Sequence, residues 1–260
     1  MDNQPDEHED WFSPKRLTRQ NRESRIKSVN ELNLGGDFGI YALANRGLGM
    51  DLAAIRQHNL VNTKIRAVLY REILGNSKYI TIADLGCGLG FTTAALAEEF
   101  MTNQVTGYEI SEDACEFAAK AFPSINFLSE AVYPHARLQE KYDLILAQEF
   151  YPFTRTSEYE CHLGYVKTLA NSLSEKGVIL ITFRDGTKNS IFSSIPIITE
   201  ELAKIGYVVT LFPLPFDRIR QYIPSYILSN WLSKLLASLL GKKRLLVVKI
   251  SCAPTKTASA

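Results

Sequence analysis

The protein has 260 residues, of which 46% are hydrophobic, and its formal net charge is +1. This length and apolar content suffice for one sizeable core and exclude a wholly disordered chain. The nearly balanced charge argues against a surface built mainly to hold a polyanion, so nucleic acid is not the expected partner. The opening residues, MDNQPDEHED, lack the basic and apolar regions of a secretory signal, which favours a cytoplasmic location.

The N-terminal part of the chain divides into two segments. Residues 1–30 lack a sustained apolar period and change from acidic to basic at Lys15–Lys27, which predicts a flexible polar tail. Residues 31–77 begin with a stretch rich in glycine and asparagine. They then carry apolar residues at roughly helical spacing from Leu52 to Ile73, as far as Gly75. This pattern predicts a helical, lid-like segment.

Short β-branched runs alternate with helical stretches over residues 78–252. Such alternation predicts an α/β fold, with a Rossmann-like, doubly wound and mostly parallel sheet of seven strands. The last two runs, YVVTLF and RLLVVKIS, are expected to pair antiparallel. Residues 253–260 read as a flexible tail. The other predicted strands are YITIADL, TGYEI, INFLS, YDLILA and GVILIT, and the helices between them are FTTAALAEEF, EDACEFAAKAF and YVKTLANSLSEKG.

Four scattered cysteines, Cys87, Cys115, Cys161 and Cys252, show none of the paired spacing of a zinc site. We therefore expect reduced thiols and no bound metal.

A glycine-rich turn, Asp84-Leu-Gly-Cys-Gly-Leu-Gly, follows the first predicted strand. Gly86, Gly88 and Gly90 would let a ligand lie against the main chain, and the next helix offers free N–H groups. The spacing fits neither the dinucleotide fingerprint nor the P-loop. It resembles motif I of the class I S-adenosylmethionine-dependent methyltransferases.

The resemblance covers about Tyr79 to Ile250 and implies S-adenosylmethionine as the cofactor. It implies that Asp84 orients the methionine amino group and that the glycines make room for the amino-acid portion. Glu109, at the end of the second strand, would take both ribose hydroxyls, since a carboxylate can accept two hydrogen bonds at once. Further residues assigned to the cofactor are Ile110 against the adenine, Glu130 and Ala131 after the third strand, and Gln148 at the end of the fourth.

The fourth strand runs into Gln148-Glu149-Phe150-Tyr151-Pro152-Phe153, where the family has its methyl-transfer site. This stretch departs from the [Asp/Asn]-Pro-Pro-Tyr motif common among amino-methylating enzymes, and it lacks the Pro-Cys of cytosine C5 enzymes. An alcohol acceptor requires a base for its proton, and Glu149 is the leading candidate. The other candidates are His162 and His135 for proton transfer, Tyr151 and Phe153 as pocket walls, and Arg155 for an anionic group. Each could equally be an ordinary packing or surface residue.

An insertion over about 213–243 separates the last two predicted strands, where the family often has a hairpin turn. From Ile227 onward its apolar residues gather on one broad helical face. Three interpretations are open. The helix packs on the domain or on a second copy in a homodimer, walls the acceptor pocket, or lies in a membrane interface through residues 226–244.

These observations predict methyl transfer from S-adenosylmethionine to a small molecule or saccharide, at a hydroxyl. One alternative is a methyltransferase for RNA or protein that docks through Lys15–Lys27. The other is a non-catalytic binding protein that retains the fold. A helix at residues 226–244 that met a membrane would make the protein membrane-peripheral.

Overall fold

The structure is a computed structural model that describes residues 52–75, 77–134, 138–156, 158–184 and 190–253. These residues form two compact units. The first contains the described residues up to Val68 together with Cys87–Ala131, and the second contains Leu69–Gly86 and the described residues from Val132 onward.

The described elements alternate between strand and helix through most of the chain, as predicted. A short 3-10 helix, Ile191–Ser194, follows the fifth strand. The helices are α1 (Leu52–Leu74), α2 (Phe91–Phe100), α3 (Glu112–Ala121), α4 (Tyr151–Arg155), α5 (Tyr159–Asn171), α6 (Ile195–Ala203), α7 (Asp217–Tyr222) and α8 (Tyr226–Leu240). The strands are β1 (Ile82–Leu85), β2 (Val105–Glu109), β3 (Asn126–Ser129), β4 (Tyr142–Gln148), β5 (Leu173–Arg184), β6 (Tyr207–Pro213) and β7 (Leu245–Cys252).

The described strands form one sheet of seven, in the order β3-β2-β1-β4-β5-β7-β6. The pairs β2 with β3, β1 with β4, and β4 with β5 are parallel. β7 is antiparallel to both β5 and β6. The predicted doubly wound sheet with an antiparallel last strand is therefore confirmed.

Each unit has its own apolar packing. In the first, Leu89, Phe91, Ala114 and Phe117 form a buried cluster, and Leu60 and Phe122 pack against it. In the second, β1 and β4 are the most deeply buried strands. Ile82, Leu85, Leu144, Ile145 and Leu146 are fully buried there. A strand without an exposed face is typical of the centre of a sheet that is covered on both sides.

One predicted helix boundary is wrong. The helix expected to run through LSEKG ends at Asn171, and Leu173 already belongs to β5. Leu173 pairs with Tyr142, and the register shifts before Leu144 pairs with Val178. The main chain at Gly177 lies close to β4, since an added Cβ would lie 2.7 Å from the Tyr142 carbonyl oxygen. Pairing with β4 overrides the helical preference of this polar segment.

The inserted segment between β6 and β7 is helical, as expected, and contains α7 and α8. Among the described residues, no helix combines the length and the apolar character needed to cross a bilayer.

Candidate functional site

The turn after β1 uses backbone that glycine adopts easily. Gly86, Gly88 and Gly90 have φ angles of 66°, 56° and 77°, which lie in the left-handed region. A Cβ at Gly90 would lie 2.7 Å from the Phe127 ring and 2.9 Å from the Cβ of Ala118, so packing requires this glycine. At Gly88, no described atom beyond the chain neighbours lies within 4 Å of an added Cβ. The main chain at Gly88 therefore borders open space.

The carboxylate of Glu109, at the end of β2, lies beside Gly88. Its side chain is buried. Oε2 accepts a hydrogen bond from the Gly88 N–H at 2.8 Å, and Oε1 accepts from the N–H groups of Ile110 and Ser111, both at 2.9 Å. The N–H of Glu130 donates to the Glu109 carbonyl oxygen at 3.0 Å. The first unit thus brings together four residues predicted for the cofactor: Gly88, Glu109, Ile110 and Glu130.

Three donors leave little free capacity on the Glu109 carboxylate. A carboxylate offers about four lone-pair positions. Oε1 is filled by two donors, and Oε2 keeps one position beside the Gly88 N–H. A vicinal diol has two O–H donors, so capture of both at Glu109 requires the Gly88 N–H to share or release Oε2.

Burial raises the pKa of Glu109, and the backbone donors Ser111, Gly88 and Ile110 oppose this rise because they stabilise the charged form. A buried carboxylate of this kind is costly to the fold unless such donors surround it.

In the second unit, β1 and β4 carry two further predicted residues on neighbouring parallel strands. Asp84 is buried and pairs in register with Leu146, two residues before Gln148. The Tyr70 hydroxyl, on α1, donates to the Gln148 amide oxygen at 2.7 Å. This bond ties the end of β4 to α1.

Glu149 follows β4 directly and has an unusual backbone. Its φ is 49°, in the left-handed region that non-glycine residues rarely adopt. Its N–H donates to the carbonyl oxygen of Thr182 at 3.1 Å and to its hydroxyl at 3.0 Å. Its carboxylate accepts from the Arg184 Nε at 3.2 Å. The Glu149 side chain is 26% exposed and that of Arg184 is 65% exposed. Bonds to β5 therefore hold a strained residue at the end of β4, a form of strain that is often found at functional sites.

Aromatic rings pack together in the segment that follows Glu149. Phe150, Phe153 and Tyr165 pack edge to face, with ring centroids 5.7 to 6.0 Å apart. Phe153 is completely buried, so the expectation that it walls a pocket is wrong. Tyr151, at the start of α4, is only partly buried.

His162, on α5, is enclosed in the second unit. Its Nε2 lies 2.9 Å from the Pro152 carbonyl oxygen and 3.0 Å from the Thr156 hydroxyl, and its Nδ1 lies 2.8 Å from the Ser194 hydroxyl. A carbonyl oxygen only accepts, so Nε2 carries the proton and Nδ1 accepts from Ser194. Both nitrogens are engaged and the residue is fully buried. The geometry gives His162 a role in anchoring α4, and it does not favour proton transfer to a substrate.

Comparison with known proteins agrees with this architecture. Residues 82–174 match a protein family described as "Methyltransferase domain". These residues, less than half of the chain, are therefore similar to a methyltransferase domain. The matched segment runs from β1 to the start of β5 and so includes the glycine turn, Glu109 and Glu149.

Two curated relatives match parts of this chain. Trans-aconitate 2-methyltransferase of Agrobacterium fabrum is 29% identical over 102 residues, which are 39% of this chain and 38% of the relative. Release factor glutamine methyltransferase of Fusobacterium nucleatum is 29% identical over 114 residues, 41% of this chain and 32% of the relative. The match thus spans less than two fifths of either relative.

A solved structure shows the same fold over most of the chain. The plantazolicin methyltransferase BpumL in complex with SAH aligns with a TM-score of 0.51 at 15% identity, and the match covers 94% of this chain and 92% of that one. At this identity, the likeness establishes the fold.

Some residues with predicted roles lie outside the described part of the structure. These are His135, the basic segment Lys15–Lys27 and the side chain of Arg155. Ala131 is half-buried and follows Glu130 directly.

Three contacts of the candidate site residues were not predicted. They are Ser111 with Glu109, Tyr70 with Gln148, and Arg184 with Glu149. Ser111 carried a local signal, because serine followed by acidic residues is typical of a helix start, and its hydroxyl caps α3.

We expect Gly88→Ala to weaken binding of S-adenosylmethionine about ten- to hundredfold, because the added methyl group occupies the open space at the turn, at a cost of about 1–3 kcal/mol. Alanine in the left-handed backbone of position 88 should also make the fold less stable by about 1 kcal/mol. Gly206→Ala is the matched control, since Gly206 has a φ of 83° and equally open surroundings. Calorimetric titration gives the affinity and thermal melting gives the stability. Equal affinity in the two variants would contradict a ligand at Gly88.

The enclosed imidazole predicts a pH-dependent stability. Burial lowers the pKa of His162 in the folded protein, whereas in the unfolded chain its pKa is about 6.5. The unfolded state therefore binds more protons on acidification, and the free energy of unfolding falls as pH drops below about 6.5, by up to about 1.4 kcal/mol per pH unit. Urea titrations of wild type and His162→Gln should show this slope only in wild type. The same change at His8 is the control, and a slope that survives in His162→Gln would contradict the assignment.

Proposed function

We propose that the protein transfers the methyl group of S-adenosylmethionine to a hydroxyl of a small molecule or saccharide. The observation that carries the proposal is the buried Glu109 carboxylate beside the open space at Gly88. A carboxylate accepts hydroxyl donors, and a glycine without close neighbours lets a ligand lie against the main chain. Both features fit the ribose of a nucleoside cofactor.

S-adenosylmethionine, when bound, supplies a methyl group that the sulfonium has already activated. Glu109 accepts the ribose hydroxyls, and the family resemblance gives Asp84 the methionine amino group. The resemblance also places Gly86, Gly88 and Gly90 along the amino-acid portion, and Ile110, Glu130 and Ala131 about the adenine. Gln148, whose amide oxygen accepts from the Tyr70 hydroxyl, is proposed as a further cofactor contact at the end of β4.

Glu149 is proposed as the general base that takes the proton of the acceptor hydroxyl. It stands at the position of the family's methyl-transfer site, and its carboxylate is partly sheltered from water. The Arg184 Nε donates to Oε1 of this carboxylate and so helps to hold it at the end of β4. Tyr151 and Arg155 are proposed to contact the acceptor, and His162 positions α4 from behind.

The two curated relatives are named for different acceptors, trans-aconitate and release factor glutamine. The proposal of a hydroxyl acceptor therefore rests on the residues of this chain. An oxygen nucleophile needs a base, whereas a neutral amine can attack first and lose its proton later. Glu149 supports the former. The basic segment Lys15–Lys27, which would favour RNA or protein, lies outside the described residues.

Calorimetric titration of the whole chain with S-adenosylmethionine and S-adenosylhomocysteine tests cofactor binding. Matched pairs of hydroxyl and amino compounds, including sugars, then test the acceptor in a radiolabelled methyl-transfer assay. Binding of both cofactor forms and methylation of hydroxyl members supports the proposal. Absence of binding to the folded protein would overturn it, and methylation of only the amino members would overturn the assignment of a hydroxyl acceptor.

A further inference from the structure

The helix α8 is attached to the second unit by its polar side. Ser229 and Ser233 are fully buried. The Ser233 hydroxyl accepts from the Phe216 N–H at 2.8 Å and donates to the Ser229 carbonyl oxygen at 2.7 Å. The Tyr226 hydroxyl donates to the Pro213 carbonyl oxygen at 2.8 Å. Small polar side chains, rather than the leucines of the helix, therefore face the protein.

Contacts at both ends fix this orientation. The Ser225 hydroxyl accepts from the Leu228 N–H at 3.4 Å and caps the helix start. The Arg244 Nη1, beyond the helix end, donates to the Asn230 amide oxygen at 2.7 Å. A rotation of α8 about its axis would break the Arg244–Asn230 bond together with the bonds of Ser233 to Phe216 and of Tyr226 to Pro213. The direction of the opposite face is thus determined by the structure.

That opposite face is apolar and exposed. Ile227 is 82% exposed, Trp231 59% and Leu239 70%, and Leu228 and Leu235 are exposed between them. We call these five residues the apolar face. These residues are part of the face that the helical projection predicted, which also included Leu232 and Leu236, yet they turn away from the described residues of their own unit. Contiguous apolar surface of this kind normally marks a contact with a partner or a membrane.

The segment that carries the apolar face is basic, and the acidic groups beside it are Asp217, at the start of α7, and Glu72, which pairs with Arg220. No aspartate or glutamate follows Asp217 in the sequence, whereas eight lysines and arginines do. Lys234, Lys242 and Lys243 are exposed on or directly after α8. An apolar face bordered by cations of one sign complements a surface that is apolar inside and negatively charged outside.

We propose that α8 binds the interface of an anionic lipid bilayer, with the apolar face among the acyl chains and its lysines at the headgroups. Tryptophan is enriched at that depth in membrane proteins. A two-fold contact between copies of α8 fits less well, because each copy would bring the same cations to the contact. The anionic bilayer is therefore the occupant that the charges favour.

The attachment of α8 bears on the acceptor, a step that rests on the proposed function. β6 ends at Pro213, which pairs with Leu246 of β7. The preceding residue of β7, Leu245, pairs with Arg184 at the end of β5. The insertion therefore leaves the sheet at the edge that carries Arg184 and Glu149. A bilayer bound by α8 would present amphiphilic acceptors with hydroxyl headgroups at this edge.

Co-sedimentation of the whole chain with vesicles tests membrane binding without any methyl transfer. Vesicles of phosphatidylcholine alone are compared with vesicles of equal parts phosphatidylcholine and phosphatidylglycerol. We expect binding to the anionic vesicles, and a blue shift of tryptophan emission in a Trp11→Phe variant, in which Trp231 is the remaining tryptophan.

Two sets of variants locate the contact. Ile227→Gln, Trp231→Gln and Leu239→Gln combined should weaken binding about a hundredfold or more. Lys242→Gln and Lys243→Gln combined should weaken it about tenfold on anionic vesicles. Phe192→Gln, Ile197→Gln and Ile205→Gln combined are the control, since these apolar residues of the same unit are also exposed. The control should bind as wild type does.

Three results would overturn the proposal. Binding that survives the substitutions in the apolar face would place the contact elsewhere, for example at Lys15–Lys27. Failure to bind either vesicle, with a dimer in light scattering that the apolar-face variant abolishes, would assign the face to a second copy. Failure to bind without a dimer would assign it to another part of the chain. Calorimetric titration with S-adenosylmethionine does not depend on vesicle binding. Failure of the proposed function can therefore be distinguished from failure of the membrane proposal.

Discussion

Glu149→Gln is expected to lower the rate of methyl transfer to a hydroxyl about 10²–10⁴-fold, the usual contribution of a positioned general base. The amide keeps the size of the side chain and can still accept a hydrogen bond from Arg184, but it cannot take a proton. Affinity for S-adenosylmethionine should change less than about twofold, because Glu149 is not assigned to the cofactor. Single-turnover assays and calorimetric titration measure the two quantities separately.

The matched control for Glu149→Gln is Glu158→Gln, which removes the same charge from an exposed position after α4. Its rate should equal that of wild type. An amino analogue of the acceptor provides a second control, since a neutral amine attacks before it loses a proton. An equal loss of rate with hydroxyl and amino acceptors would contradict a role in proton removal and would indicate a role in positioning.

Glu109→Ala is expected to raise the Kd for S-adenosylmethionine about 10²-fold or more, because each hydrogen bond to a charged group contributes about 1.5–3 kcal/mol. The variant also removes the acceptor of three backbone N–H groups, so the fold should become less stable as well. Burial raises the pKa of Glu109. Since the ionised form binds the hydroxyls, cofactor affinity should fall on acidification at a higher pH than is usual for a glutamate.

A cofactor analogue without the ribose 2′-hydroxyl separates the two effects of Glu109→Ala. Wild type should bind 2′-deoxy-S-adenosylhomocysteine more weakly than S-adenosylhomocysteine, and Glu109→Ala should bind both equally. Glu112→Ala, which removes an exposed carboxylate three residues along the chain, should behave as wild type. A preference for the hydroxyl that persists in Glu109→Ala would show that another residue holds the ribose.

Much of the fold was predictable because its signals are local. Apolar β-branched runs marked the strands, and the glycines marked a turn, where the structure shows a left-handed backbone. The turn and Glu109 are each defined by a few consecutive residues. The sequence therefore located the part of the candidate site that lies at strand ends.

The remaining contacts depend on residues far apart in sequence. Tyr70 reaches Gln148 across 78 positions, and Arg184 reaches Glu149 across 35. No periodicity encodes such pairs. A histidine near the methyl-transfer motif also gives no sign of burial, and enclosure by Pro152, Thr156 and Ser194 is what separates His162 from the proton-transfer candidates.

The helical projection of α8 predicted its two faces correctly but did not determine which one meets the protein. Usual burial preferences would send the leucines inward and the serines outward. The observed orientation follows instead from the bonds of Ser233 and Tyr226 to main-chain groups of residues 213 and 216.

Glu149 lowers the stability of the fold through its left-handed backbone, yet its carboxylate is the proposed catalytic base. A non-glycine residue in this conformation costs about 1–2 kcal/mol, which glycine largely avoids. Glu149→Gly should therefore melt at a temperature close to or above that of wild type while losing turnover. Selection of variants for heat resistance alone would tend to remove the proposed base, and a stabilised form of this protein should be engineered at other positions.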